Sequence, residues 1–376
     1  MKRVICLCCA VFLLSFNLVG YANPQIQTSA KSVLLMEQST KEILYENNPD
    51  EQLAIASVTK IMTMLLIMEA LDEGKISMED MVPVSERAMS MGGSTMFLEA
   101  GEELSVYEML KGIAVASAND GCVAMAEFIS GSVETFVAEM NKRAQELGMK
   151  NTNFVNTNGL DAEGHYSSAR DVALMSAELL KHEKIFEFTT IWTDKMHDGK
   201  FDLSNTNKLI RFYSGANGLK TGSTDKALCC LSATAKRDDL QLIAVVLGAP
   251  TSNDRFNDAR TLLDYGFANY DVEKFATKEE KFLTVPVRKG VKENVSVVAK
   301  DDVSLLVPKG NKGKCEKEIF VPDKLSAPIK KGSSIGKVIY TMNGEKVSEV
   351  ELVAGEDVEK VSFTKHFIDI IMRIFG

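Results

Sequence analysis

Ser57-Val58-Thr59-Lys60-Ile61-Met62-Thr63-Met64-Leu65-Leu66-Ile67-Met68 is the stretch from which the fold of this 376-residue chain can be worked out. Between Lys60 and Met68 apolar side chains fall on nearly every face of a helix, which marks a helix buried all round. Ser57 stands at its start, where first-turn N–H groups are free and the macrodipole favours developing negative charge. A spacing of three puts Lys60 one turn away on the same face, with side-chain roots about 5–6 Å apart, so the amine can reach the hydroxyl. A serine hydroxyl is a weak nucleophile without an adjacent base. Lysine is a base only when neutral, a state that burial and a neighbouring cation favour by lowering its pKa. The blander reading of the pair is an N-cap serine and a lysine lying along the surface.

Ser-x-x-Lys occurs four times, beginning at Ser57, Ser223, Ser334 and Ser362, so the pattern selects nothing alone. Ser334 also lies in Gly332-Ser333-Ser334-Ile335-Gly336, which fits the G-x-S-x-G nucleophile elbow. That elbow needs a strand-to-helix turn in a parallel framework, whereas Ser334 sits among Lys, Gly and Ser between short β-like runs. Ser362 shares the polar face of a C-terminal amphipathic stretch. Only Ser57 opens a buried helix.

Outward from that helix, residues 32–36 and 43–45 read as a hairpin. Ser105 with Glu108 forms a capping box ahead of a helix through Val115, and helices are expected over residues 121–128 and 133–147. Residues 228–235 and 240–247 read as a second hairpin. Phe256, Ala259, Leu262, Leu263 and Phe267 recur at helical spacing over 254–267. Strands at both sequence ends with helices between predict an α+β domain built on one antiparallel sheet. Composition shifts near Val272 to short Val-rich runs separated by Lys/Gly/Asn turns, the pattern of a small all-β domain. The expected organisation is a leader over 1–22, a catalytic domain over 23–271, a β domain over 272–355 and an amphipathic helical tail over 356–376.

Lys2 and Arg3 precede an apolar run from residue 4 to 19, and Gly20-Tyr21-Ala22 is a small-x-small cleavage signal, so export is expected. Losing that leader takes the basic residues from 43 to 41 against 52 acidic ones, a formal charge of −11, which argues against nucleic acid as a partner. Cys122, Cys229, Cys230 and Cys315 then remain, too scattered for a disulfide framework. His165, His182, His197 and His366 show no ligand spacing, so neither a metal nor another cofactor is expected. The tail sets Phe363, Phe367, Ile370, Ile371, Ile374 and Phe375 against a polar face. It is too short to span a bilayer and suited to lying in a membrane interface.

Two further strings complete a site. Ser117-Ala118-Asn119 falls in a break between helices, where Ser117 can shuttle a proton and the Asn119 amide can donate to Lys60 or to a substrate carbonyl. As mere local structure it is a helix cap. Lys220-Thr221-Gly222 opens the second β block. Lys220 offers charge for a carboxylate and for depressing the Lys60 pKa, Thr221 a hydroxyl, and Gly222 room for a substrate backbone at a strand edge.

The order and spacing of these strings resemble the serine D-alanyl-D-alanine carboxypeptidases, the low-molecular-mass penicillin-binding proteins. The likeness extends through residues 112–120, 136–149, 152–171 and 217–224. It implies that Ser57 is acylated, Lys60 is the general base, Ser117 and Asn119 form the second element, and Lys220 and Thr221 clamp a carboxylate. It also implies an oxyanion hole from the N–H groups of Ser57 and Ser223, with His165 in a loop bordering the site. Two departures stand out: Asn217 where the family commonly has Asp, and Ser223 where a larger residue often follows Lys-Thr-Gly. The implied reaction removes the terminal D-alanine from peptidoglycan stem pentapeptides, with β-lactams as covalent inhibitors, at the outer face of the membrane. The alternatives are a serine β-lactamase and a non-catalytic peptidoglycan-binding protein.

Overall fold

In the computed structural model the described residues are 26–196, 199, 201–310, 315–342 and 344–361; the expected leader and the amphipathic stretch from residue 362 lie outside them. The two hairpins are parts of one sheet. Ser32–Glu37 pairs with Ile43–Asn47 on one side and with Leu240–Ala249 on the other, and Leu228–Arg237 and then Ala216–Thr224 complete five antiparallel strands. The register Leu34↔Val245 and Leu35↔Ala244 joins the two ends of the domain.

Alternation along these strands divides the core. Leu34, Met36, Ile243, Val245 and Leu247 face a helical block that contains the Lys60–Asp72 helix. Val33, Leu35, Leu242, Ala244 and Val246 face Phe256, Ala259, Leu262 and Leu263 of the Ser252–Asn269 helix. Both central strands are therefore buried along their whole length, and the period of two in their side chains makes the sheet the middle of three layers.

The Ser57 helix is buried all round as its composition predicts, but it is preceded by a 3-10 turn, Ala56–Thr59, which carries the serine. Ser105 caps the Val106–Lys111 helix, accepting from the Glu108 N–H at 3.2 Å. That helix does not run on to Val115 in α form. Gly112–Ala116 widens into a π turn and stops at Ser117, whose backbone is left-handed at φ +65°. Such turns concentrate at functional sites because the widened backbone re-aims the residues after it. The Asn119–Ser130 and Val133–Glu146 helices follow.

The C-terminal strands form a six-stranded sheet, Cys315–Phe320, Ser334–Met342, Glu345–Ala354, Asn294–Ala299, Lys281–Arg288 and Leu325–Ser326 in spatial order. Tyr270–Ala276 pairs separately with Val303–Pro308. Val285, Val295, Val297, Val338, Val350 and Leu352 fill a core of their own. Cys315–Phe320 and Tyr270–Ala276 escape the sequence reading because charged residues interrupt them. Ser334 opens a strand, which is no nucleophile elbow.

Candidate active site

Lys60 sits at the centre of the site with none of its surface exposed. Its Nζ donates to Ser57 Oγ at 2.8 Å, to Asn119 Oδ1 at 2.6 Å and to the Asn158 carbonyl at 2.7 Å. The first comes from its own helix start, the second from the helix after the π turn, and the third from the loop before residue 168. Three separate segments thus converge on one amine. Burial lowers the Lys60 pKa to about 8, against weaker opposing effects of Cys122 and Asp120.

Two sequence expectations are corrected here. The Asn119 amide does not donate to Lys60; its oxygen accepts, while its Nδ2 donates to the Gly92 carbonyl at 2.7 Å. Of the two influences expected to lower the Lys60 pKa, burial acts and Lys220 is not among the causes. Lys220, 1% exposed, is itself pushed well down by burial and then by Lys60. Two amines in one dry site repel, so both lean toward the neutral form until an anion arrives.

Ala216–Thr224 is an edge strand that lies against the Ser57 turn. A Cβ on Gly222 would come within 2.6 Å of the Ile55 carbonyl and 3.0 Å of the Ser57 nitrogen, so only glycine allows this approach. Lys220 Nζ donates to the Thr221 carbonyl at 2.9 Å, and Thr221 Oγ1 donates to Thr206 Oγ1 at 2.6 Å. Ser223 follows on the same edge, opposite Cys229. Ser117 is 4% exposed and leads directly into Asn119, but its hydroxyl is not one of the three partners of the Lys60 amine.

His165 is engaged by protein on both ring nitrogens. Nδ1 accepts from the Val155 N–H at 3.0 Å, which leaves the proton on Nε2, and Nε2 lies 2.8 Å from Thr59 Oγ1. Burial lowers its pKa to about 4, so the ring is neutral. It ties the 152–168 loop to the turn bearing Ser57.

Several contributors were invisible in the sequence. The Asn158 carbonyl is a backbone group, and no side-chain pattern announces it. Gly159, at φ +88°, lies so close that a Cβ would stand 1.9 Å from the Ala56 carbonyl. Asp120, 1% exposed, accepts from the N–H groups of Met96 and Leu98, and Asn119 N–H donates to Ser94 O at 2.7 Å. These bonds hang the loop before residue 98 beside the site. Thr224 Oγ1 donates to Asp161 Oδ1 at 2.8 Å, closing the strand edge onto the opposite loop.

A serine hydroxyl 2.8 Å from the amine of a dry lysine, set beside a sheet-edge strand, is the arrangement of a serine acyl-transfer enzyme. The D-alanyl-D-alanine carboxypeptidase family, Peptidase_S11, matches residues 19–251, and the C-terminal domain of penicillin-binding protein 5 matches residues 270–360. D-alanyl-D-alanine carboxypeptidase DacF of Bacillus subtilis is 47% identical over 374 residues, covering 96% of each chain. Among solved structures, penicillin-binding protein 5 from Haemophilus influenzae superposes with a TM-score of 0.74 at 34% identity, covering 89% of this chain and 99% of the other. Penicillin-binding protein D2 from Listeria monocytogenes in its ampicillin-bound form gives 0.60 at 32% identity over 65% of this chain and 99% of that one.

The chain belongs to the D-alanyl-D-alanine carboxypeptidase family. It is a serine-type carboxypeptidase of the cell wall, and enzymes of this family act outside the cytoplasm. Neither alternative, a β-lactamase or a non-catalytic binding protein, finds support among the relatives.

Proposed function

We propose that Ser57 is the acylated nucleophile and Lys60 its general base, on substrates ending in D-Ala-D-Ala. The observation that carries this is the set of three hydrogen bonds around the Lys60 amine. As an ammonium Lys60 donates to all three partners; once neutral it keeps two protons and one lone pair. Asn119 Oδ1 and the Asn158 carbonyl can only accept, so they take both protons and aim the lone pair at the Ser57 hydroxyl. Ser57 Oγ attacks the carbonyl carbon of the penultimate D-alanine while its proton passes to Lys60 Nζ. The N–H groups of Ser57 and Ser223 receive the oxyanion. The carbon–nitrogen bond then breaks, the departing D-alanine amine takes a proton relayed through Ser117, and water hydrolyses the Ser57 ester.

Lys220 and Thr221 hold the substrate carboxylate, whose charge returns Lys220 to its cationic form. Gly222 and Ser223 let the peptide lie along the strand edge as an added strand. Asn119 and His165 serve by positioning, the one through Lys60 and the other through the loop. A β-lactam acylates Ser57 by opening its own ring, so no leaving group departs and the ester persists. The expected division into residues 23–271 and 272–355 places all these groups in the first part. We assign residues 1–22 to a cleaved export leader and 356–376 to a membrane-surface helix.

D-alanine release from a stem pentapeptide and labelling by fluorescent penicillin, in the native enzyme and in Ser57→Ala, test the reading. Both are expected to vanish in the variant; labelling that survives there overturns it. The tail assignment predicts that the mature chain sediments with anionic lipid vesicles and that truncation after residue 355 frees it. Equal sedimentation of the two chains refutes that assignment.

A further inference from the structure

Arg255 is a buried cation that the chemistry above does not use. It is 8% exposed, and among the described residues it makes no ion pair. Its Nη1 donates to the Gly222 carbonyl at 3.0 Å and to the Cys230 carbonyl at 3.4 Å, its Nη2 to Ser252 Oγ at 3.3 Å, and its Nε has no partner. It also stands in the first turn of the Ser252–Asn269 helix, where the macrodipole disfavours positive charge. The nearest acid in sequence, Asp254, accepts instead from Thr251 at the helix cap. Burial, an unfilled donor and the wrong helix end act against this residue, offset in part by the Phe256 ring, whose centroid lies 4.9 Å from the guanidinium. A charge kept on such terms points to a role outside packing.

The role follows from the group it holds. Gly222 C=O and Ser223 N–H belong to one peptide unit, and the only cis bonds among the described residues are Gly218–Leu219 and Ala327–Pro328. In a trans unit carbonyl and N–H point in opposite directions. Arg255 takes the carbonyl on the side of the neighbouring Leu228–Arg237 strand, since the same Nη1 reaches Cys230 of that strand. The Ser223 N–H is thereby turned to the open edge of the sheet, next to Gly222, whose Cβ position would lie 3.0 Å from the Ser57 nitrogen.

We propose that Arg255 is a positioning residue for the oxyanion hole: its guanidinium fixes and polarises the Gly222–Ser223 peptide so that the Ser223 N–H donates more strongly to the developing oxyanion. This rests on the reading of Ser57 and Ser223 given above. A charged donor on the carbonyl draws electron density across the amide and makes the N–H more acidic, the cooperative effect of linked hydrogen bonds. The gain appears only when negative charge forms, so it belongs to the transition state.

The test compares Arg255→Gln and Arg255→Lys with the native enzyme on a pentapeptide, and reads the infrared band of the ester carbonyl in each penicillin acyl-enzyme. Losing the polarisation is expected to lower kcat about tenfold to a hundredfold in Arg255→Gln with KM little changed, less than deletion of an oxyanion donor itself. Arg255→Lys is expected to recover most of the rate. The ester carbonyl band should move to higher wavenumber in Arg255→Gln, which reports only on molecules folded well enough to be acylated. A fall in rate with an unmoved band overturns the proposal. So does a loss that disappears on a substrate whose terminal carboxylate is amidated, because Arg255 would then act through the carboxylate. If Ser57→Ala still labels with penicillin, the underlying site reading fails, and that result is distinct from either of these.

Discussion

The catalytic cleft and the C-terminal β-module handle positive charge in opposite ways. In the module Lys292, Lys300, Lys331, Lys337 and Lys346 all pair with glutamates at the surface, Lys331 reaching Glu279 and the others Glu356, Glu351 and Glu349. In the cleft Lys60, Lys220 and Arg255 are buried, and the partners of their nitrogens are hydroxyls, an amide oxygen and backbone carbonyls. Exposed pairs gain little and are screened by solvent. Buried cations without a counter-ion are costly, and the cost appears as lysines held toward neutrality. One region spends its lysines on solubility; the other keeps them dry, where they can act as bases or wait for an anion.

The largest break in that contrast is at Lys60. Lys60→Met keeps the bulk and removes the proposed base, and acylation by penicillin is expected to fall by about 10³-fold, within the range of general-base contributions. The native enzyme adds a pH signature. With Lys60 as the proposed base the active form is its neutral amine, so kcat/KM should rise about tenfold per pH unit below its pKa and level off above about pH 8, the value to which burial lowers it. A profile that is flat from pH 6 to 9 excludes Lys60 as the base.

A smaller effect is expected from the backbone packed around Ser57. Gly159→Ala forces a Cβ against the Ala56 carbonyl at a left-handed position, which should destabilise the fold by about 2–4 kcal/mol in urea unfolding and slow acylation in what remains folded. Unchanged stability would mean that the turn bearing Ser57 yields more easily than its packing implies. The smallest effect is expected in the module. Lys337→Ala removes an exposed partner of Glu349, and the unfolding midpoint should move by no more than about 2 °C, with penicillin labelling untouched. A large shift would show that the surface pairs carry the module.

Most of the scaffold was legible because it is written in local periodicity. The helix after Ser57 is apolar all round, the central strands are aliphatic, and Ser105 caps with Glu108 in reach. Reading failed where charge interrupts a strand, as in Cys315–Phe320, and where a helix changes its winding, as at Gly112–Ala116. Neither change leaves a periodic trace.

By itself, then, the sequence determined which serine begins a buried helix and which residue types could accompany it, since hydrophobic pattern and spacing are properties of the chain alone. Tertiary structure decided how those groups face one another. Asn119 accepts rather than donates, burial without help from Lys220 lowers the Lys60 pKa, and the third partner of that amine is the carbonyl of Asn158. Desolvation and backbone direction arise only when distant segments meet, here 59 residues apart for Lys60 and Asn119 and 98 for Lys60 and Asn158.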